Sequence, residues 1–156
     1  MSNKGVYFGV QSQLDSAAVY FEKALSITDK THPFYPKLAN NLGIVYKKKG
    51  EYTNALNLLT NALHIAYEQK NLEAEAKIYS ELSSIYRSLN KYDLSVEYSL
   101  KSIDIIKKSD TVNQYTLNSE KQKLANLYKE LNNNVFALEL YKEVTPYFEN
   151  SIYTDN

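Results

Sequence analysis

The 156-residue sequence contains no cysteine and no tryptophan, and it has only four glycines and three prolines. The lack of cysteine excludes disulfides, thiol catalysis and thiolate metal sites, and it fits a reducing compartment. No glycine-rich phosphate loop and no Gly-x-Ser-x-Gly motif occurs. His32 and His64 are far apart, and no cluster of His, Asp and Glu has the spacing of a metal site. We therefore predict no enzymatic activity, no metal and no cofactor.

A surplus of charge is also absent, because 18 basic residues balance 18 acidic ones. A protein that binds nucleic acid through its phosphates needs a basic surplus, so we expect no direct nucleic-acid contact. The apolar runs are far shorter than the roughly 20 residues that span a bilayer, and the N-terminus has no signal-peptide pattern. We expect a soluble, cytoplasmic protein that makes no membrane contact.

What the sequence does contain is a repeat. An aromatic residue returns as Phe8, Tyr46, Tyr86 and Tyr128, in steps of 38, 40 and 42 residues. Mostly small residues stand at three fixed distances from each aromatic. Three residues before it are Gly5, Gly43, Ser83 and Ala125, and nine residues after it are Ala17, Ala55, Ser95 and Ala137. Sixteen residues after it are Ala24, Ala62, Ser102 and Val144. Small side chains beside aromatic ones allow paired helices to cross closely, so the spacing predicts a helical repeat protein.

The apolar residues recur every three or four positions, which predicts an all-α fold. Helices are predicted at about 13–28, 36–49, 53–70, 72–89, 93–109, 113–131 and 134–149. Gly50, Asn90 and Asn132 follow the aromatic by four residues, where a left-handed residue ends a helix. Pro146 is predicted to end or kink the last helix.

The chain is predicted to form one array of about 3.5 repeats, with a partial repeat at 1–35 and repeats at 36–75, 76–115 and 116–153. Only seven residues precede Phe8, and no polar capping helix follows the apolar last helix. We therefore expect a fragment of a longer array, or an array whose ends are covered by a partner or by a second copy in a homodimer.

The second unit resembles the tetratricopeptide repeat, a helix–turn–helix motif. The matching residues there are Leu42, Gly43, Tyr46, Ala55, Leu59 and Ala62, and in the last unit Leu124, Ala125, Tyr128, Ala137, Tyr141 and Val144. The repeat of 40 to 42 residues exceeds the usual 34 and is similar to that of kinesin light chains and bacterial signalling proteins. The resemblance implies a right-handed superhelix of antiparallel helix pairs that binds proteins or peptides.

In such arrays, the first helix of each pair lines the concave surface. The resemblance therefore implies a ligand groove lined by Lys37, Asn40, Asn41, Ile44, Lys48, Lys77, Ser84, Arg87, Lys123, Asn126 and Lys129. With Lys47, Glu81 and Glu130 included, the groove has seven basic and two acidic residues. Asn41 and Asn126 would bond the backbone of an extended peptide, and the lysines would select acidic groups. Alternatively, abundant lysines and asparagines simply solvate exposed helix faces.

The sequence thus predicts a scaffold that binds a protein or an extended, acidic peptide. One alternative is a sensory input domain of a bacterial transcription regulator or histidine kinase. Another is a structural self-assembly module. The sequence does not name the ligand.

The third unit departs from the others because it places Ser83, Ser95, Ser99 and Ser102 at packing positions. One interpretation is that the serines simply take the place of other small residues, with their hydroxyls bonded to carbonyls of their own helix. The other is that they soften the packing, so that the superhelix can flex at this unit. Glu73 and Glu75 lie on different faces of a predicted helix, so we expect two solvated carboxylates rather than an acid–base pair.

Overall fold

The computed structural model describes the backbone of residues 13–153 and the side chains of residues 13–149. This part of the chain contains seven α-helices and no strand, as predicted. Their bounds are α1 Leu14–Ile27, α2 Tyr35–Lys48, α3 Tyr52–Glu68, α4 Leu72–Ser88, α5 Tyr92–Lys107, α6 Gln114–Glu130 and α7 Asn134–Tyr153. Consecutive helices pack on each other, so the array consists of the pairs α2–α3, α4–α5 and α6–α7 preceded by α1. The all-α helical repeat fold is therefore confirmed.

The first helix of each pair ends in the same way. Gly50, Asn90 and Asn132 have φ angles of 77°, 57° and 56°, which confirms the predicted left-handed residues. The N–H of the next residue then donates to the carbonyl of the repeat's aromatic, at 2.9 Å from Tyr46, Tyr86 and Tyr128. This hydrogen bond satisfies a carbonyl that the end of the helix would otherwise leave unbonded. Each helix pair therefore has a short, fixed turn.

Lys70 forms a fourth turn of this kind, after α3. Its φ is 53°, and the N–H of Asn71 donates to the carbonyl of Ala66 at 2.9 Å. The Asn71 side chain then caps α4 by accepting from the N–H of Ala74 at 3.0 Å. Sequence reasoning missed this turn because lysine is not a residue that favours left-handed backbone.

The predicted packing positions are buried. Ala17, Ala55 and Ser95 have no exposed surface, and Ala137 is 3% exposed. Gly43 shows why the α2–α3 pair needs a small residue: a Cβ built on it would lie 2.7 Å from Cδ2 of Leu59. The leucine side chain therefore occupies the space that any larger residue at position 43 would need.

The third unit solves the same packing problem with hydroxyl groups. The Ser83 hydroxyl donates to the Ser95 carbonyl at 2.8 Å and lies 2.7 Å from the Ser99 hydroxyl. The Ser95 hydroxyl donates to the Ser83 carbonyl at 2.9 Å, and that of Ser102 to the Ala76 carbonyl at 2.9 Å. The prediction of bonds within each serine's own helix is wrong, because these bonds join α4 to α5. They replace apolar contact with polar links between the two helices.

The last helix continues through Pro146 to Tyr153, so of the predicted end or kink at this proline, the end is wrong. Proline has a helical φ, and the chain can remain helical with the loss of one backbone hydrogen bond. The repeat positions Gly5 and Phe8 lie outside the described residues. None of the described helices is long and apolar enough to cross a membrane.

Candidate functional site

The three first helices, α2, α4 and α6, lie side by side. The Lys47 ammonium is 2.6 Å from the Glu81 carboxylate and thereby links α2 to α4. The Ser80 hydroxyl donates to the Glu120 carboxylate at 2.9 Å and links α4 to α6. All eleven predicted groove residues lie on these three helices. We call the side of α2, α4 and α6 that carries these residues the first-helix face.

Four of the seven cations on the first-helix face are paired. Besides Lys47, the Arg87 guanidinium donates to the Glu130 carboxylate at 2.7 Å. Lys77 pairs with Glu73, and Lys123 pairs with Glu120 at 2.7 Å. The Lys47 and Glu81 side chains are 20% and 21% exposed, so solvent screens this pair less than the Arg87–Glu130 pair, at 45% and 42%.

Glu73 and Glu120 are members of this face that sequence reasoning missed. They raise the number of carboxylates from the predicted two to four. Glu73 lies four residues before Lys77, a spacing at which helical Glu and Lys pair, so it could have been found. Glu120 is 8% exposed, and no local sequence pattern identifies this buried carboxylate as part of the face.

The remaining three lysines of the face, Lys37, Lys48 and Lys129, are exposed. None of them makes an ion pair with another described residue. The face therefore has seven cations and four carboxylates, and its surplus positive charge corresponds to these three lysines. Two lie on α2 and one lies near the end of α6, so α4 contributes none of the unpaired cations.

The asparagines of the face differ in their surroundings. The Asn126 carbonyl oxygen already accepts a hydrogen bond from the Tyr141 hydroxyl at 2.6 Å. Asn41 is half-buried, and its amide has no hydrogen bond within the described part of the chain. Asn40 is 8% exposed, and its enclosed Oδ1 atom likewise has no partner there. Asn40 and Asn41 are therefore the two asparagines of the face whose side-chain amides make no hydrogen bond within residues 13–149.

Ser84 and Ile44 complete the predicted set. The Ser84 hydroxyl accepts from Lys47 at 3.0 Å, so it belongs to the contact between α2 and α4. Ile44 is half-buried, one turn of helix after Asn40 and Asn41.

Three cavities open along the helices of this face. One of about 290 Å³ lies between α2 and α4, where both helices begin. A second of about 460 Å³ lies between the start of α4, the end of α5 and the start of α6. A third of about 270 Å³ has Ser83, Ser95 and Ser99 among its lining residues, with Lys47, Arg87 and Lys123 also against it. The face therefore has recesses that are large enough to take a side chain of a bound ligand.

Two glutamates in α4 have displaced pKa values. The hydrogen bond from Lys77 is the main cause that lowers the pKa of Glu73, and the charge of Lys37 also contributes. Glu75 is 4% exposed, and burial raises the pKa of its carboxyl group. The expectation of two solvated carboxylates is therefore wrong for Glu75. Within residues 13–149, no group of three or more His, Asp and Glu side chains could hold a metal ion.

Comparison with known proteins supports the repeat assignment. The sequence model of the tetratricopeptide repeat family matches residues 35–108, which span α2 to α5. The crystal structure of BtubC (BKLC) from P. vanneervenii is similar at a TM-score of 0.82 and 18% identity, over 93% of this chain and 60% of that one. The chain thus spans about three fifths of that protein's length. No curated protein matches the chain.

Two further structures share the fold. The nearly identical repeats of a protein described as a kinesin light chain from P. anserina have a TM-score of 0.77 and 18% identity, over 96% of this chain and 74% of that one. The TPR2AB domain of yeast Sti1, in a complex with pHSP90, has a TM-score of 0.67 and 24% identity, over 85% and 46%. The family match and the shared fold confirm the resemblance: residues 35–108 carry the sequence pattern of the tetratricopeptide repeat, and the chain shares the fold of tetratricopeptide-like repeat proteins.

Proposed function

We propose that this chain is a non-enzymatic protein-interaction module that binds an extended, acidic peptide segment of another protein on its first-helix face. The observation that carries this proposal is the surplus of three unpaired lysines on a surface where the other cations are neutralised. Tetratricopeptide-repeat proteins are generally scaffolds, and the structurally similar TPR2AB domain of yeast Sti1 is in a complex with pHSP90. Asn41 supplies a free amide for the peptide backbone.

The pairing of charges refines which residues bind the ligand. A peptide carboxylate that contacts Lys77, Arg87 or Lys123 must displace a carboxylate of the protein itself. Lys37, Lys48 and Lys129 have no such competitor, so each contact with them adds its full electrostatic free energy. We therefore assign the selection of acidic residues to these three lysines and the shape of the face to the paired residues.

A charge-reversal experiment tests the proposal. A random peptide display library is selected on the wild-type protein, and the enriched peptides are measured by fluorescence anisotropy at 50 and 300 mM salt. The variant Lys37→Glu/Lys48→Glu/Lys129→Glu is expected to bind at least about tenfold more weakly at low salt, since each exposed contact is worth roughly 0.5 kcal/mol. The difference should shrink at 300 mM salt because screening weakens exposed charges.

The matched control is Lys23→Glu/Lys107→Glu/Lys142→Glu, which changes the net charge equally on helices that do not form the face. Binding is expected to survive in this control. Equal losses in both variants would mean that net charge alone attracts the peptides. No enrichment of acidic peptides would refute the proposal.

A second candidate function is self-assembly through α7. Val135, Phe136 and Leu138 are 67%, 51% and 54% exposed, and together they form an apolar patch. A second copy that buried this patch would produce the expected homodimer. Sedimentation velocity over a hundredfold concentration range tests this candidate, and a Phe136→Ser/Leu138→Ser variant should remain monomeric if the patch is the interface.

A further inference from the structure

The cavity between α2 and α4 contains an unsatisfied polar group. We call this cavity the Asn40 pocket, and the lining residues that matter are Lys37, Asn40, Asn41, Glu73 and Lys77. Asn40 is 8% exposed, and its enclosed Oδ1 atom has no hydrogen-bond partner among the described residues. A buried amide without partners costs about 1–3 kcal/mol of folding free energy. Such a cost at the wall of a cavity indicates a role other than folding.

The repeat itself explains why Asn40 has no partner. Asn40 precedes Tyr46 by six residues, and Ser80 precedes Tyr86 by six, so the two are equivalent. Ser80 bonds to Glu120, which lies eight residues before Tyr128. The equivalent of Glu120 in α4 is Ile78, a buried apolar residue. Asn40 thus has the polar character of its position without the polar neighbour found in the next unit.

The end of the Asn40 amide that is not enclosed is Nδ2. This group also makes no hydrogen bond within residues 13–149, yet it is not among the enclosed unpartnered atoms there. It is therefore free to donate to a ligand. The exposed Lys37 ammonium is a second unused donor at the same pocket. The pocket consequently offers donors that need an acceptor.

The electrostatic field of the pocket favours a negatively charged acceptor. Both α2 and α4 begin at this cavity, so the positive ends of two helix dipoles lie beside it. Lys37 and Lys77 add two charges, and Glu73 balances only one of them. The Glu73 carboxylate already forms an ion pair with Lys77, which shows that a carboxylate is stable at the rim of the Asn40 pocket.

We infer that the Asn40 pocket takes one aspartate or glutamate side chain of the bound peptide, with Lys37 and the Asn40 amide as donors. The volume of about 290 Å³ accommodates one such side chain. Glu73 acts as an internal competitor, because its carboxylate already pairs with Lys77 at the rim of the pocket. The inference rests on the proposed function, for which it names one subsite.

The test uses two small probes that differ only in charge, N-acetyl-glutamate methylamide and N-acetyl-glutamine methylamide. Each is titrated into the ¹⁵N-labelled 156-residue chain, and the side-chain NH₂ signal of Asn40 is followed together with the backbone amide signals of residues 37–41 and 73–77. We expect millimolar binding of the glutamate probe centred on Asn40 and no saturable shift with the glutamine probe. Lys37→Gln should abolish the shift, whereas the matched variant Lys23→Gln, at an exposed position of α1 away from the first-helix face, should retain it.

Two variants separate a binding role from a structural one. Glu73→Gln, at an exposed position, should tighten binding of the glutamate probe by about threefold to tenfold, because it frees Lys77. Asn40→Leu should abolish the probe-dependent shifts of the backbone amides around the pocket, while the melting temperature stays equal or rises. A lowered melting temperature with unchanged probe binding would assign Asn40 to packing and overturn the inference. Equal binding of both probes would overturn it as well.

The outcomes distinguish this inference from the proposed function. If library peptides depend on Lys48 and Lys129 but bind equally to the Asn40→Leu and Lys37→Gln variants, the face binds peptide and the pocket does not take the carboxylate. If the glutamate probe binds at Asn40 while no library peptide is enriched, the pocket stands and the extended peptide site fails.

Discussion

Gly43 and Leu59 offer a sharp test of how the helix pairs are packed. In a Gly43→Ala variant, the new Cβ would lie 2.7 Å from Cδ2 and 2.8 Å from Cγ of Leu59, which has no exposed surface. Neither atom can move into solvent, so the helices must shift apart, and such overpacking costs about 1–3 kcal/mol. Alanine offsets roughly 1 kcal/mol of this cost because it favours helix more than glycine does.

The sign of the effect should reverse when the leucine is removed. Leu59→Ala alone is expected to lower the free energy of unfolding by about 2–5 kcal/mol, because it leaves a cavity. In the Leu59→Ala background, the Cβ added by Gly43→Ala meets no leucine side chain, so only the gain in helix propensity remains. The substitution should then stabilise the folded protein by up to about 1 kcal/mol. The coupling free energy between the two positions is then roughly 1–3 kcal/mol.

Urea denaturation followed by far-ultraviolet circular dichroism measures all four proteins of this cycle. The slope with urea should stay constant, so that a shifted midpoint reports a change in stability. If Gly43→Ala stabilises the wild-type protein, or has the same effect in both backgrounds, the close approach of Leu59 does not restrict position 43. Either result would refute the packing account of the repeat's small residue.

Two further predictions concern α4 and the turn before it. Lys70→Gly should stabilise the fold by about 0.5–1 kcal/mol, because glycine adopts the observed φ of 53° without strain; thermal unfolding checks this, and Asn90→Gly, where asparagine already tolerates the angle, should change little. Glu75→Gln should stabilise at pH 7 but not at pH 3. Burial raises the pKa of Glu75 above its ordinary 4.5, so the charged form weakens the fold as the pH rises through the raised pKa. Urea denaturation at both pH values checks this, and an equal effect at both would exclude charge as its cause.

The repeat made the fold predictable from the sequence. The left-handed turns at Gly50, Asn90 and Asn132 were identifiable because residue type and register agree there. Lys70 shows the limit of such prediction, since its left-handed conformation is imposed by the turn between α3 and α4 and not by its residue type. At Pro146 the residue type predicted an end or a kink, whereas the surrounding helix continues through it.

The face was predictable as a set of positions, and its charge was not. Register places Lys77, Arg87 and Lys123 on one side, but a long side chain can reach partners on its own helix or on the next one. Whether Arg87 meets Glu130 depends on the distance between α4 and α6, which no local pattern contains. The unsatisfied amide of Asn40 was equally hidden, because it depends on what the neighbouring helix fails to provide.

Two of the helix pairs, α2–α3 and α4–α5, are packed in different ways, and this difference restricts how the array can be rearranged. Gly43 with Leu59 and Ser83 with Ser99 each fit within their own pair, but a serine opposite a leucine would place a Cβ in occupied space. Recombination that joins the first helix of the third unit to the second helix of the second unit would create this clash. Recombination at the turns between pairs keeps both partners together. The whole pair is therefore the unit that can be duplicated or exchanged. A lineage that converts the glycine–leucine arrangement into the serine–serine arrangement must first replace the leucine, and only then the glycine.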